Sequence, residues 1–197
     1  MMMSSALLCL DWSQDGEYII VTNQSYEILI FNVTKGKIDH DKRPSSHVDT
    51  QWHTYTQKLG FPVQGIWPGV DMTDINTVDR SKNSVVIATG DDFGMVKLFK
   101  YPCVTPKAKF NEYCGHSSHV TKVRFSANDE NLVSTGGNDM TVFIWDTDIN
   151  GPDGVFVKEW EADDKNPDDP SLEIKVDRSK AKLKAAEREE NKSKLVV

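Results

Sequence analysis

The sequence predicts an all-β protein assembled from about three four-stranded antiparallel units, and three observations carry that prediction. One plan recurs three times along the chain: an apolar-alternating run, a polar turn, a second run, a tight acidic turn, then a third run. The runs alternate with period two, as strands do when one face lies in a core. The breaks between them hold Gly, Asn, Asp and Ser, residues that favour tight turns.

Taken in chain order, the first copy places strands at 8–12, 18–21 and 27–31, with turns at 13–16 and 22–25. The middle copy places them at 73–78, 85–89 and 96–99, with turns at 80–84 and 90–94. The last copy is the clearest, with strands at 119–125, 132–135 and 141–145 and turns at 126–130 and 136–139. The copies start about 45 to 65 residues apart, the wider gap carrying an insertion; repeats of roughly this length are what propeller blades look like. Residues 52–55 and 108–113 are the candidates for the less regular outermost strands. Residues 5–149 are therefore assigned to a partial β-propeller with blades at about 6–50, 51–106 and 107–149.

Beyond that point the texture changes. Asn150-Gly151-Pro152-Asp153-Gly154 breaks any regular element, 163–170 is acidic and bears prolines, and 181–191 is rich in Ala, Lys and Glu. A helix there would have only Leu183 and a few alanines on its apolar face. Residues 150–197 are expected to be a charged tail, flexible or partly helical.

Gly115-His116 followed by Trp145-Asp146 at blade spacing is the WD-repeat signature. Its chemistry is a buried polar network, tolerated only when every member is paired. In the expected arrangement His116 sits beneath Thr135, Asp139 accepts from the imidazole, and the Trp145 indole donates into the strand residue. No nucleophile accompanies His116 and Asp139, so the pair reads as structural and no catalytic residue is assigned. Cys114, His116 and His119 lack a fourth ligand for zinc, and Gly90 to Gly94 lacks a phosphate-loop lysine. Neither metal nor cofactor is expected. Trp52, Tyr55 and Trp67 could line a partner groove or pack the insertion onto a neighbouring blade; Lys97 and Lys100 join them as a candidate partner surface. Lys107, Lys109 and Lys122 extend the nearest approach to a basic patch.

Among 197 residues, 27% are charged and the formal net charge is −7. That balance argues against nucleic acid, whose phosphates demand a basic face, and weighs against direct contact with an acidic surface. Three cysteines at irregular spacing, Cys9, Cys103 and Cys114, give no disulfide framework. The N-terminal run resembles no signal peptide, and no stretch approaches the roughly 18 apolar residues of a membrane span. A cytoplasmic protein without membrane contact is expected.

Three stretches are more specific than the repeat signature: LDWSQDGEYIIVTNQSYEILIFNV (10–33), WHTYTQKLGFPVQGIWPGVDMTDIN (52–76), and DDFGMVKLFKYPC through GHSSHVTKVRF (91–125). In order and spacing they resemble the C-terminal propeller of the echinoderm microtubule-associated protein-like family. The resemblance implies a tandem pair of atypical propellers, of which these are the last three blades. It also implies tubulin or microtubule binding, and a place on the cytoskeleton, including the spindle. The family's basic microtubule-binding and self-association segments lie N-terminal to its propellers and have no counterpart here. A general protein-interaction adaptor without tubulin contact is the other reading. Met72 stands where the family usually has Gly, the first copy ends Phe31-Asn32 without a preceding Gly-His, and the tail has no match. The chain is accordingly expected to belong to a longer protein or a truncated gene model. Two raw blade faces should make it poorly soluble or self-associating.

Overall fold

The computed structural model describes residues 5–39, 44–67, 74–106, 108–147 and 149. Three antiparallel sheets follow one another along the chain. The first is β1 (Leu7–Trp12), β2 (Tyr18–Asn23), β3 (Ile28–Asn32) and β4 (Lys37–Ile38), paired in that order. The second is β5 (Ile75–Arg80), β6 (Val86–Asp91), β7 (Met95–Lys100) and β8 (Phe110–Cys114). The third, among the described residues, is β9 (Val120–Phe125), β10 (Asn131–Gly136) and β11 (Val142–Asp146).

Sheet boundaries and repeat boundaries do not coincide. Residues 108–113, read as part of a blade at 107–149, lie mostly in β8, which pairs with β7 of the second sheet, Phe99 opposite Phe110. The outer edge of the first sheet is the two-residue β4, not residues 52–55. Those residues lie beside the inner strand instead, through a bridge between Trp52 and Ser13 just past its end, the His53 N–H bond to the Trp12 carbonyl at 2.8 Å, and Thr54 on Asp11. The Asp71-Met72-Thr73 turn and the tail at 150–197 lie outside the described residues.

The repeat is written most clearly in its turns. Between the first and second strands of every sheet a serine folds the chain back: the hydroxyls of Ser13, Ser81 and Ser126 donate to Asp15, Asn83 and Asn128 at 2.5, 2.7 and 2.8 Å. Each serine also pairs its backbone N–H across the turn, to Tyr18, Val86 and Asn131. Three residues after the serine the backbone turns left-handed, at Gly16, Ser84 and Asp129. Each third strand is then tied off by one bond of the same kind: Val33, Tyr101 and Thr147 donate to the carbonyls of Glu17, Val85 and Glu130.

The core lies between the sheets. β6 is buried along its whole length because both faces of the middle sheet are covered, which explains why its sequence is nearly continuous in small and apolar residues. On one side Val86 and Ala88 pack with Val120, Phe125 and Leu132 of the third sheet. On the other, Ile87 and Phe99 pack with Ile20 and Ile30 of the first sheet and with the insertion's Trp52 and Tyr55.

β5 and β9 pack directly on one another; β1 and β5 have no comparable contact, because the insertion comes between them. Asp79 in β5 accepts from the Phe125 N–H at 2.7 Å and from Arg124 at 2.9 Å in the next sheet. Asp11 holds the matching place in β1, but its carboxylate accepts from the Thr56 N–H at 2.8 Å, the Gln57 amide at 2.7 Å and the Thr54 hydroxyl at 2.5 Å. Residues 51–57 thus occupy, beside β1, the place that the neighbouring sheet's inner strand occupies beside β5.

Candidate interaction surfaces

The histidine network forms in the third sheet. The His116 Nδ1 lies 2.9 Å from Asp139 Oδ2, and its Nε2 lies 2.8 Å from the Ser134 hydroxyl. The Trp145 indole N–H donates to that same hydroxyl at 2.8 Å. A carboxylate only accepts, so the neutral imidazole with its proton on Nδ1 lets every group be used once: indole to Ser134, Ser134 to Nε2, Nδ1 to Asp139. Thr135 was expected at the centre of this network. It sits one residue along, on the other face of β10, where it pairs with the Thr121 hydroxyl at 2.8 Å. Thr141 also donates to Asp139. Although burial opposes it, these bonds from Thr141 and His116 hold the Asp139 carboxyl below the usual carboxylate range. Asp79 goes the other way, raised by burial against the bonds from Phe125 and Arg124.

Of the residues expected on a partner surface, most lie elsewhere. Trp52 is 5% exposed and Tyr55 1%; both belong to the core between the first and second sheets. Their ring area is what fixes the insertion to the blades. Half-buried Trp67 donates its indole N–H to the Lys58 carbonyl at 2.9 Å. Lys97 is buried and pairs with Asp91 at 3.0 Å. Lys100 alone among them is exposed. Cys114, His116 and His119 do not share a site: Cys114 meets the Met95 sulfur, and His119 meets the Ser118 hydroxyl. Burial pushes the Cys103 thiol up to about 11.

Two features emerge that sequence reasoning did not assemble, although it named Lys122. The inner strands of all three sheets and the insertion converge on a cleft of about 250 Å³, where Lys58, Lys122 and Arg124 gather beside Leu10, Asn76 and Thr77. These cations come from segments far apart in sequence, so no local pattern announces them. The second feature is apolar exposure on the outward faces: Leu8, Leu10 and Trp12 on the first sheet, and Val142 and Ile144 on the third.

Three sheets stacked through their faces, with serine-capped turns and a His–Ser–Trp–Asp network, define an arc of a WD-type β-propeller. The β-propeller domain of Cps50 (Swd1) from Myceliophteria thermophila superposes with a TM-score of 0.52 at 11% identity, over 75% of this chain and 54% of that one, a likeness of fold alone. A family model for the echinoderm microtubule-associated protein second β-propeller matches residues 1–147. The chain belongs to that family. It is 49% identical over 144 residues to echinoderm microtubule-associated protein-like 4 of Xenopus laevis, covering 72% of this chain and 15% of the relative. It is 49% identical to the human echinoderm microtubule-associated protein-like 3 over 72% of this chain and 16% of the relative. With the 77 kDa echinoderm microtubule-associated protein of Lytechinus variegatus it shares 44% identity, over 72% of this chain and 21% of the relative. The chain therefore spans only a minor part of these relatives.

Proposed function

We propose that this chain is a non-catalytic scaffold of a microtubule-associated protein, contributing to tubulin or microtubule binding in the cytoplasm and to cytoskeletal organisation, the spindle included. The observation that supports this most directly is the basic cleft. In a chain of net charge −7, Lys58, Lys122 and Arg124 converge where the inner strands meet. A local concentration of cations attracts an acidic surface even when the whole molecule repels it. Arg124 is already engaged by Asp79, which leaves the two lysines, unpaired among the described residues, to meet a partner. The names of the relatives point the same way. In this reading the His116, Ser134, Asp139 and Trp145 network keeps the third blade in register and touches no ligand.

Co-sedimentation with polymerised tubulin, beside binding to the unassembled dimer, tests the proposal. The expected result is salt-sensitive enrichment that falls at least fivefold in the Lys58→Glu, Lys122→Glu double variant. Enrichment with neither form of tubulin, or enrichment indifferent to both substitutions, would leave the adaptor reading, in which the propeller recruits another protein.

A further inference from the structure

A groove of about 720 Å³ opens between the first sheet, the insertion and the segment following β7. Its volume falls in the range of sites that enclose a small molecule or a few residues of peptide. Ile30, Trp52, Tyr55, Phe61 and Tyr101 give it apolar and aromatic walls, and Arg80 supplies a charge. Arg80 is only 8% exposed. One of its terminal nitrogens donates to the Trp52 carbonyl at 2.8 Å and more loosely to that of His53 at 3.4 Å. Its guanidinium carbon stands 5.4 Å from the Tyr101 ring centre, and its Nε has no acceptor.

Carbonyl and ring dipoles orient this guanidinium without neutralising it. The other buried lysine or arginine among the described residues is treated differently: Lys97 meets Asp91. The neighbouring Asp79 cannot serve Arg80, because it follows the strand alternation to the opposite face and is consumed by the third sheet. His47 and Asp49 also line the groove, and Asp49 is exposed there, out of ion-pair reach of Arg80 among the described residues. Buried charges are retained in proteins when a counter-charge meets them. With one terminal nitrogen held by two carbonyls, the guanidinium keeps its other terminal nitrogen for a charge-assisted bond to a carboxylate.

We propose that this groove receives a carboxylate carried beside an aromatic or branched apolar side chain, on an extended segment of a partner protein. The apolar side chain lies beside Phe61 and Tyr101, in front of the buried Trp52, and the carboxylate meets Arg80. Nothing in this requires the basic cleft on the inner strands, so the two sites stand or fall separately.

Titration of the full chain with N-acetyl-phenylalanine, N-acetyl-phenylalaninamide and N-acetyl-phenylalanyl-aspartic acid α-amide, whose side-chain carboxyl is free, followed through the Trp52 indole resonance, tests it. The expected result is saturable binding of both acids at least tenfold tighter than the amide, with the stronger acid revealing whether an α-carboxylate or a side-chain carboxylate is preferred. Phe61 is 48% exposed, so Phe61→Ala should fold normally and weaken both acids several-fold. Arg80→Gln should erase the preference for acid over amide, and Lys100→Gln should leave it unchanged. Equal binding of acid and amide, no movement of Trp52 by any probe, or indifference to Phe61→Ala overturns the proposal.

Discussion

Replacing Ser134 with alanine would strip the Trp145 indole of its acceptor and His116 of its Nε2 partner in one step. Leaving buried polar groups unpaired costs about 1–3 kcal/mol, and urea unfolding of Ser134→Ala should show a loss of that size. Thr135→Ala, one residue away and half-buried, should lose less than about 1 kcal/mol in the same assay. Two carboxylates predict opposite responses to pH. Asp139, held low, favours the fold when ionised; its contribution is complete above the ordinary carboxylate range of about 4 and is lost as pH falls through the lowered value. Asp79, raised by burial, keeps its proton longer in the native state, so stability declines as pH rises from about 4 through the raised value. Urea midpoints should therefore show the advantage of wild type over Asp139→Asn growing with pH near 4, and its advantage over Asp79→Asn shrinking just above it. At this scale the sequence was partly legible. Gly115-His116, Asp139 and Trp145 declared the network, but Leu132-Val133-Ser134-Thr135 left its centre open. A strand turns alternate residues to opposite faces, so a slip of one exchanges Ser134 for Thr135, and the register shift between Thr135 and Gly136 hides which is right.

Strands were easier to read than their assignment to sheets. Alternation and turn residues located the three strands of each copy to within a residue or two, since those signals are local. Which sheet an outer strand joins depends on the chain returning after a loop, and nothing local reports that. Residues 108–113 were read as an outermost strand, which β8 is, but the blade boundary drawn at 107 sets it apart from the second sheet that it completes. The insertion shows a second limit. Trp52 and Tyr55 could signal burial or binding, packing onto the neighbouring blade being the favoured reading, and their place in the core between the first and second sheets bears that out. Asp11→Ala should release residues 51–57 from β1, giving several-fold faster proteolysis within the insertion and a stability loss of at least about 2 kcal/mol as the Thr56 and Gln57 donors lose their acceptor. Where the second and third sheets meet, β6 approaches closely: a Cβ on Gly90 would stand 2.5 Å from Val120 Cγ1 and 2.8 Å from its Cβ. Gly90→Ala should cost about 1–3 kcal/mol through overpacking, measurable by the same unfolding assay.

For the whole molecule, the decisive property is that the middle sheet is covered on both faces and its neighbours on one. Leu10 and Trp12 on one flank and Val142 and Ile144 on the other are apolar surfaces without cover among the described residues. In dilute solution the chain should sediment as a mixture of oligomers, and Leu10→Glu combined with Ile144→Lys should shift it toward monomer in analytical ultracentrifugation. A single monomeric boundary for the wild type would show that these faces do not attract one another.

The segment lodged between β1 and β5 has a geometric consequence. A wheel closes only when the angles between successive spokes add to a full turn. Here one of those angles is dictated by residues outside the repeating unit, which act as a shim beneath a hinge. Trimming or thickening that shim would open or tighten the curvature of the arc while every spoke kept its own internal bonding.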